Sequence, residues 1–259
     1  MGCGQVKPLD DIAEKSLVQP VVSPRTPRLG PFAVIAGVAP DRQMIRERVV
    51  GEGMVERPLY LGRILAGIGN AGGTLAGPVL GAPQAAMTLE TLLAWGARWV
   101  LFLGWCGSIA ENVGIGDVVV PHGAFCDEGT SSRYGGAFGE AVPVSAVSAL
   151  PSAIRTELDQ AGVPVHAGKV WTTDAIFRET PSRVDAFRRQ GAVVVDMETS
   201  ALMTVAAYRG AALSCVLVVS DALRGSTWKK GFTDPRFKDH RRLLCRSIAD
   251  VLSTQEVTS

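Results

Sequence analysis

An excess of charge of either sign is missing from this chain: among 259 residues, 26 Lys and Arg face 25 Asp and Glu, a formal net charge of +1. Proteins that grip phosphate backbones or anionic lipid through bulk electrostatics need a positive field, so neither nucleic acid nor a membrane surface is expected as a partner. Long apolar runs are missing too. None reaches the roughly 18 residues of a membrane span. The N-terminus, MGCGQVKPLDDIAEKS, has no apolar h-region and reads as no signal peptide. Its Met1-Gly2-Cys3 start lacks the Ser or Thr that lipidation prefers at position six, where Val6 stands. Histidine and cysteine are sparse. His122, His166 and His240 are dispersed, and the five cysteines (3, 106, 126, 215 and 245) form no CxxC pair. That excludes a histidine-rich metal centre and fits reduced thiols in a cytoplasmic protein better than a disulfide framework. No metal and no organic cofactor is expected.

What is present is a length and a 47% hydrophobic content that bury a substantial core. Residues 1–31 carry five prolines and read as an extended arm; residues 32–259 show no linker and read as one domain. Short apolar runs at 32–37, 59–66, 99–103, 117–121, 165–171, 193–196 and 212–219 predict strands. Helical spacing predicts helices at 84–95, 149–161, 182–190, 198–208 and 237–252. Alternation of the two, with near-continuous apolar strands, implies an α/β domain around a largely buried mixed sheet.

Gly67, Gly69 and Gly72 form a GxGxxG pattern after a predicted strand, the outline of a dinucleotide site. That chemistry needs a helix opening at the third glycine, and the continuation Gly73-Thr74-Leu75-Ala76-Gly77-Pro78 opens none. A nicotinamide-dependent oxidoreductase rests on this pattern alone. The carboxylates at strand ends say more: Asp196 and Glu198 flank Met197 where a strand becomes a helix, and Asp221 follows the most apolar strand. Ligands of open α/β sheets sit beyond such strand ends. Acids there either cap helices and pair with Arg, or do chemistry. A carboxylate can hold the two hydroxyls of a ribose, and an acid of raised pKa can protonate a leaving base.

These residues fall into a known arrangement. Val195-Asp196-Met197-Glu198-Thr199-Ser200-Ala201 resembles the V-E-M-E-x-x-A segment of the purine nucleoside and uridine phosphorylase superfamily. Val219-Ser220-Asp221 resembles the strand-end S-D of its purine-cleaving members, and Gly104-Trp105-Cys106-Gly107 their G-[ST]-C-G-G loop. Val113–Pro121 resembles the strand after that loop, and Thr173-Asp174-Ala175-Ile176-Phe177 the segment beside the base. All five occur in family order, and the resemblance spans about residues 32–252.

It implies a three-layer α/β/α fold with a mixed, partly barrel-like sheet, and an enzyme that cleaves the N-glycosidic bond of a nucleoside. Glu198 would hold the ribose hydroxyls, Met197 would pack on the sugar, and Asp221, oriented by Ser220, would protonate the base. Ile176 and Phe177 would wall the base opposite Cys106 and Gly107, with Cys106 read as a small buried residue rather than a reactive thiol. Uridine-specific members read uracil with a Gln and an Arg that Arg178-Glu179-Thr180-Pro181-Ser182-Arg183 does not supply, so a purine is expected. Arg178 and Glu179 leave an unusual base open.

The acceptor end departs from the family. Trp105 stands where a phosphate-binding hydroxyl is expected. Four residues after Gly37, where phosphorylases place Arg, stands Asp41, followed by Arg42. Hydrolytic members carry an acid there to activate water. Asp41 thus implies hydrolysis, while a one-residue slip that restores Arg42, with help from Arg46 or Arg48, implies phosphate. Members assemble as homo-oligomers that share sites, so a homo-oligomer is expected. The rival from another class is a non-catalytic nucleoside-binding protein.

Overall fold

The computed structural model describes residues 14–142 and 149–254; the Met1-Gly2-Cys3 start and the first part of the expected arm lie outside them. Residues 14–31 run without helix or strand. The chain then alternates as read from sequence. The strands are β1 (Phe32–Ala36), β2 (Val55–Leu59), β3 (Gly62–Ile68), β4 (Gly73–Gly77), β5 (Trp99–Ser108) and β6 (Val118–Asp127), followed by β7 (Ala141–Val142), β8 (Val165–Thr173), β9 (Ala192–Asp196), β10 (Ala212–Arg224) and β11 (Thr227–Lys230). The helices are α1 (Ala39–Val49), α2 (Gly81–Trp95), α3 (Ser152–Gln160), α4 (Pro181–Arg189), α5 (Thr199–Arg209) and α6 (Pro235–Thr254).

All of these strands join one mixed sheet in the order β11-β10-β6-β8-β9-β5-β1-β4-β3-β2, with β7 paired to β6. An additional β10–β5 pairing closes β5, β10, β6, β8 and β9 into a ring, the barrel-like part of the sheet. Strand periodicity separates the two faces. Ala33 and Ile35 of β1 point into the core under α2 and α5; Phe32, Val34 and Ala36 point into the core under α1, α3 and α6. The result is a three-layer α/β/α fold. Among the described residues, no helix is long and apolar enough to cross a membrane.

Five elements run against the sequence reading. The stretch 39–49 contains only three large apolar residues and was not expected to be helical, yet it forms α1. Pro40 pre-sets its first turn, Asp41 sits at its N-terminal end, and Arg46 and Arg48 sit at its C-terminal end. The glycine-rich stretch 67–81 holds β4; Gly67 sits at a register shift within β3, and Gly69 and Gly72 turn the β3–β4 connection rather than open a helix, which removes the dinucleotide reading. Gly77 is obligatory there: its φ is 121° and a Cβ would lie 2.2 Å from the Ala36 carbonyl oxygen. Finally, β5, β6 and β10 all run past their expected ends, so Cys106, Gly107, Ser220 and Asp221 lie within strands, not beyond them.

Candidate active site

The parallel pairing of β5 with β10 sets Asp221 opposite Gly107, across a register shift between Val219 and Asp221. That irregularity re-aims the strand at the residue where the chemistry is needed. Gly107 makes room: a Cβ there would lie 3.2 Å from Asp221 Oδ2. The adjoining cavity measures about 670 Å³ and also reaches the β9–α5 junction, where Met197 and Glu198 project. Of the residues expected at the site, Gly37, Trp105, Cys106, Gly107, Ile176, Phe177, Met197, Glu198, Ser220 and Asp221 all line it. Asp41 and Arg42 do not.

Asp221 is held on both oxygens. Ser220 Oγ donates to Oδ1 at 2.6 Å, and Trp228 Nε1, from β11, donates to Oδ2 at 2.7 Å. Glu198 is the N-cap residue of α5, and its Oε1 accepts the Gly81 N–H at 2.7 Å. Asp196 anchors the turn between them, accepting from the Thr172 hydroxyl at 2.7 Å and from both the backbone N–H and the hydroxyl of Thr199. Burial and the Asp196 charge push the Glu198 carboxyl well above the usual range. Burial raises the Asp196 carboxyl as well, against the pull of its Thr199 and Thr172 donors. The Cys106 thiol is fully buried and pushed well above its usual value by burial and by the Asp196 and Asp221 charges, which makes it inert.

Asp41 was expected to activate water, and the structure does not bring it to the cavity. It is fully buried behind Trp105, whose Nε1 donates to Asp41 Oδ2 at 2.7 Å. Arg241 Nε approaches Oδ1 to 2.8 Å without hydrogen-bond alignment, and its guanidinium covers the Trp105 ring at 5.3 Å. Burial raises Asp41 to about 6 against the pull of Trp105 and Arg241. The arrangement positions an indole. Asp41→Asn therefore strands the Arg241 charge, costing about 3 kcal/mol and several degrees in Tm. It should leave kcat/KM for nucleoside cleavage within about tenfold; a loss beyond 10² would return Asp41 to the chemistry.

Arg42 likewise serves structure. With Arg46 it grips Glu56, at 2.8 and 3.0 Å, and these hydrogen bonds hold the Glu56 carboxyl down near 2. Among the described residues that line the cavity there is no Arg, Lys or His, while four are carboxylic acids: Glu179, Asp196, Glu198 and Asp221. Trp228 and Phe232 were absent from the expected site, and Glu179 was expected only as a contact for an unusual base. A signal existed for Trp228: Gly225-Ser226 between two runs of strand length is a hairpin turn, and it folds β11 back onto Asp221.

The chain is similar to several known proteins. A guanosine phosphorylase from Halorubrum lacusprofundi is 28% identical over 162 residues, 62% of this chain, and the match spans 66% of that relative. A DeoD-type purine nucleoside phosphorylase from Shewanella denitrificans is 28% identical over 63% of this chain and 68% of its own. The structure of a purine nucleoside phosphorylase from Toxoplasma gondii, bound to immucillin-H, aligns with a TM-score of 0.67 at 18% identity, covering 87% of this chain and 91% of that one. An AMP nucleosidase from Bacteroides thetaiotaomicron aligns at 0.60 with 23% identity, covering 86% and 89%. Residues 31–254 match the family model described as the phosphorylase superfamily, and the chain belongs to that superfamily.

Proposed function

We propose that this protein cleaves the N-glycosidic bond of a purine nucleoside and releases the free base. The observation that carries the reading is the placement of Glu198 and Asp221 in one cavity, the first at a helix start beside Met197 and the second on a re-aimed strand. Glu198 accepts the ribose hydroxyls as a charge-assisted pair, and Asp221 meets the base edge, where a proton neutralises the departing nitrogen. The positive charge that develops on the sugar forms among carboxylates, which favour it over the neutral ground state.

Water is the acceptor that this chain's own residues favour. A phosphate dianion would enter a cavity that offers it no cation among its lining residues and that carries the Asp221 carboxylate, where like charges repel at short range. Phosphorolysis is the second reading, supported by the names of the relatives; it requires a cation from outside this cavity, such as a neighbouring subunit's. Leu61, Leu80 and Phe177 are 88%, 73% and 94% exposed at the cavity mouth, an apolar rim that supports a homo-oligomer with the mouth near a subunit contact. Four buried free thiols support a reducing, cytoplasmic setting. The residues from 32 onward act as one catalytic domain, with residues 1–31 as an arm. Adenosine, inosine and uridine incubated with and without phosphate test the reading. Release of a purine base and free ribose, indifferent to phosphate, is expected. Ribose 1-phosphate formed only with phosphate establishes the second reading, and tight binding without turnover establishes a binding protein.

A further inference from the structure

Three of the four acids in the cavity are already engaged. Asp221 accepts from Ser220 and Trp228, Glu198 accepts from Gly81, and Asp196 accepts from Thr172 and Thr199. Glu179 lines the same cavity, partly exposed at the end of the short 3-10 turn Ile176–Arg178; its backbone N–H donates to the Ile176 carbonyl, and its carboxyl makes no hydrogen bond or ion pair to any described residue. This contrast bears on the proton that the leaving base needs. A carboxylate that accepts a hydrogen bond on each oxygen is fixed in place and has part of its acceptor capacity used. Asp221 is such a group, and it lines the same cavity as a carboxyl that no described group engages.

We propose that Glu179 is the acid that protonates the departing base, with the hydrogen-bonded Asp221 in the same cavity. The inference rests on the cleavage reading above. As the C1′–N9 bond breaks, its electron pair leaves with the purine, and N7 takes the carboxyl proton of Glu179. Water adds to C1′ and surrenders a proton, which restores Glu179; the sum is nucleoside plus water giving base and ribose. The surroundings of Glu179 favour its protonated form. Burial, then the charges of Asp221 on β10 and Asp196 on β9, raise it to about 7. Cys106 on β5 and the Glu198 carboxyl share the cavity, both shifted toward their neutral forms, while Arg178 on the same turn is exposed. An acid titrating near neutrality gives up its proton without remaining ionised.

The test compares wild type with Glu179→Gln from pH 5.5 to 9 on two substrates, a purine nucleoside and 4-nitrophenyl β-D-ribofuranoside, whose leaving group departs without a proton. Wild-type kcat/KM on the purine nucleoside is expected to fall above about pH 7 as Glu179 ionises. In E179Q that kcat/KM drops about 10²-fold or more and the alkaline limb disappears, while the nitrophenyl riboside loses less than about threefold. Equal losses on both substrates, or a purine rate within about threefold with the limb intact, would overturn the assignment. A wild-type protein that turns over neither substrate overturns the cleavage reading and this inference with it.

Discussion

Glu198→Ala is expected to lower kcat/KM for a purine ribonucleoside by about 10³, the largest single loss in the cavity. A hydrogen bond to a charged group contributes about 1.5–3 kcal/mol, and the ribose presents two hydroxyls to one carboxylate. In the free protein that carboxyl is pushed well above the usual range by burial and by Asp196, with only the Gly81 N–H bonded to it. Two sugar hydroxyls supply the missing donors and draw it to the anion as the sugar becomes cationic, so most of the loss falls on the transition state. A 2′,3′-dideoxynucleoside provides the control. It should be a poor substrate for the wild type and lose little more on E198A, because the substitution and the missing hydroxyls remove the same interaction. Equal proportional losses on both substrates would detach Glu198 from the ribose. Glu198→Gln keeps an acceptor for Gly81, so its loss reports charge rather than a disturbed loop.

Much of this site was legible in the chain because its residues sit in local patterns. The run Val195–Glu198 passes from strand to helix within a few residues, and the apolar run up to Val219 delivers Ser220 and Asp221 at one place. Periodicity alone placed β1, α2, α5 and α6, whose apolar faces cover the sheet. The helix α1 was hidden because its buried residues include Asp41 and Arg42, which apolar spacing passes over. Their partners lie far along the chain, Arg241 on α6 and Glu56 on β2, so only the folded protein shows that the two charges are consumed in structure. Asp41 had the spacing of a water-activating acid and became the anchor of Trp105 instead. Glu179 had the converse history: read from sequence only as a contact for an unusual base, it shares its cavity with two carboxylates from β9 and β10 that raise it.

That dependence makes Asp221→Asn the most informative second substitution. The amide is nearly isosteric: its carbonyl can accept from Trp228, and its NH2 can donate to the Ser220 hydroxyl. The change therefore removes charge with little rearrangement. Activity on a purine nucleoside is expected to fall about 10², since the base edge loses a fixed anion in a cavity that screens poorly. The pH profile should change as well. The charge of Asp221 follows burial among the causes that raise Glu179, so in D221N the alkaline limb moves to lower pH. It stops short of an ordinary carboxylate value, because burial and the Asp196 charge persist. A merely structural Asp221 would lower the rate and leave the limb in place. A limb that moves as the rate falls ties both acids to one proton, that of Glu179.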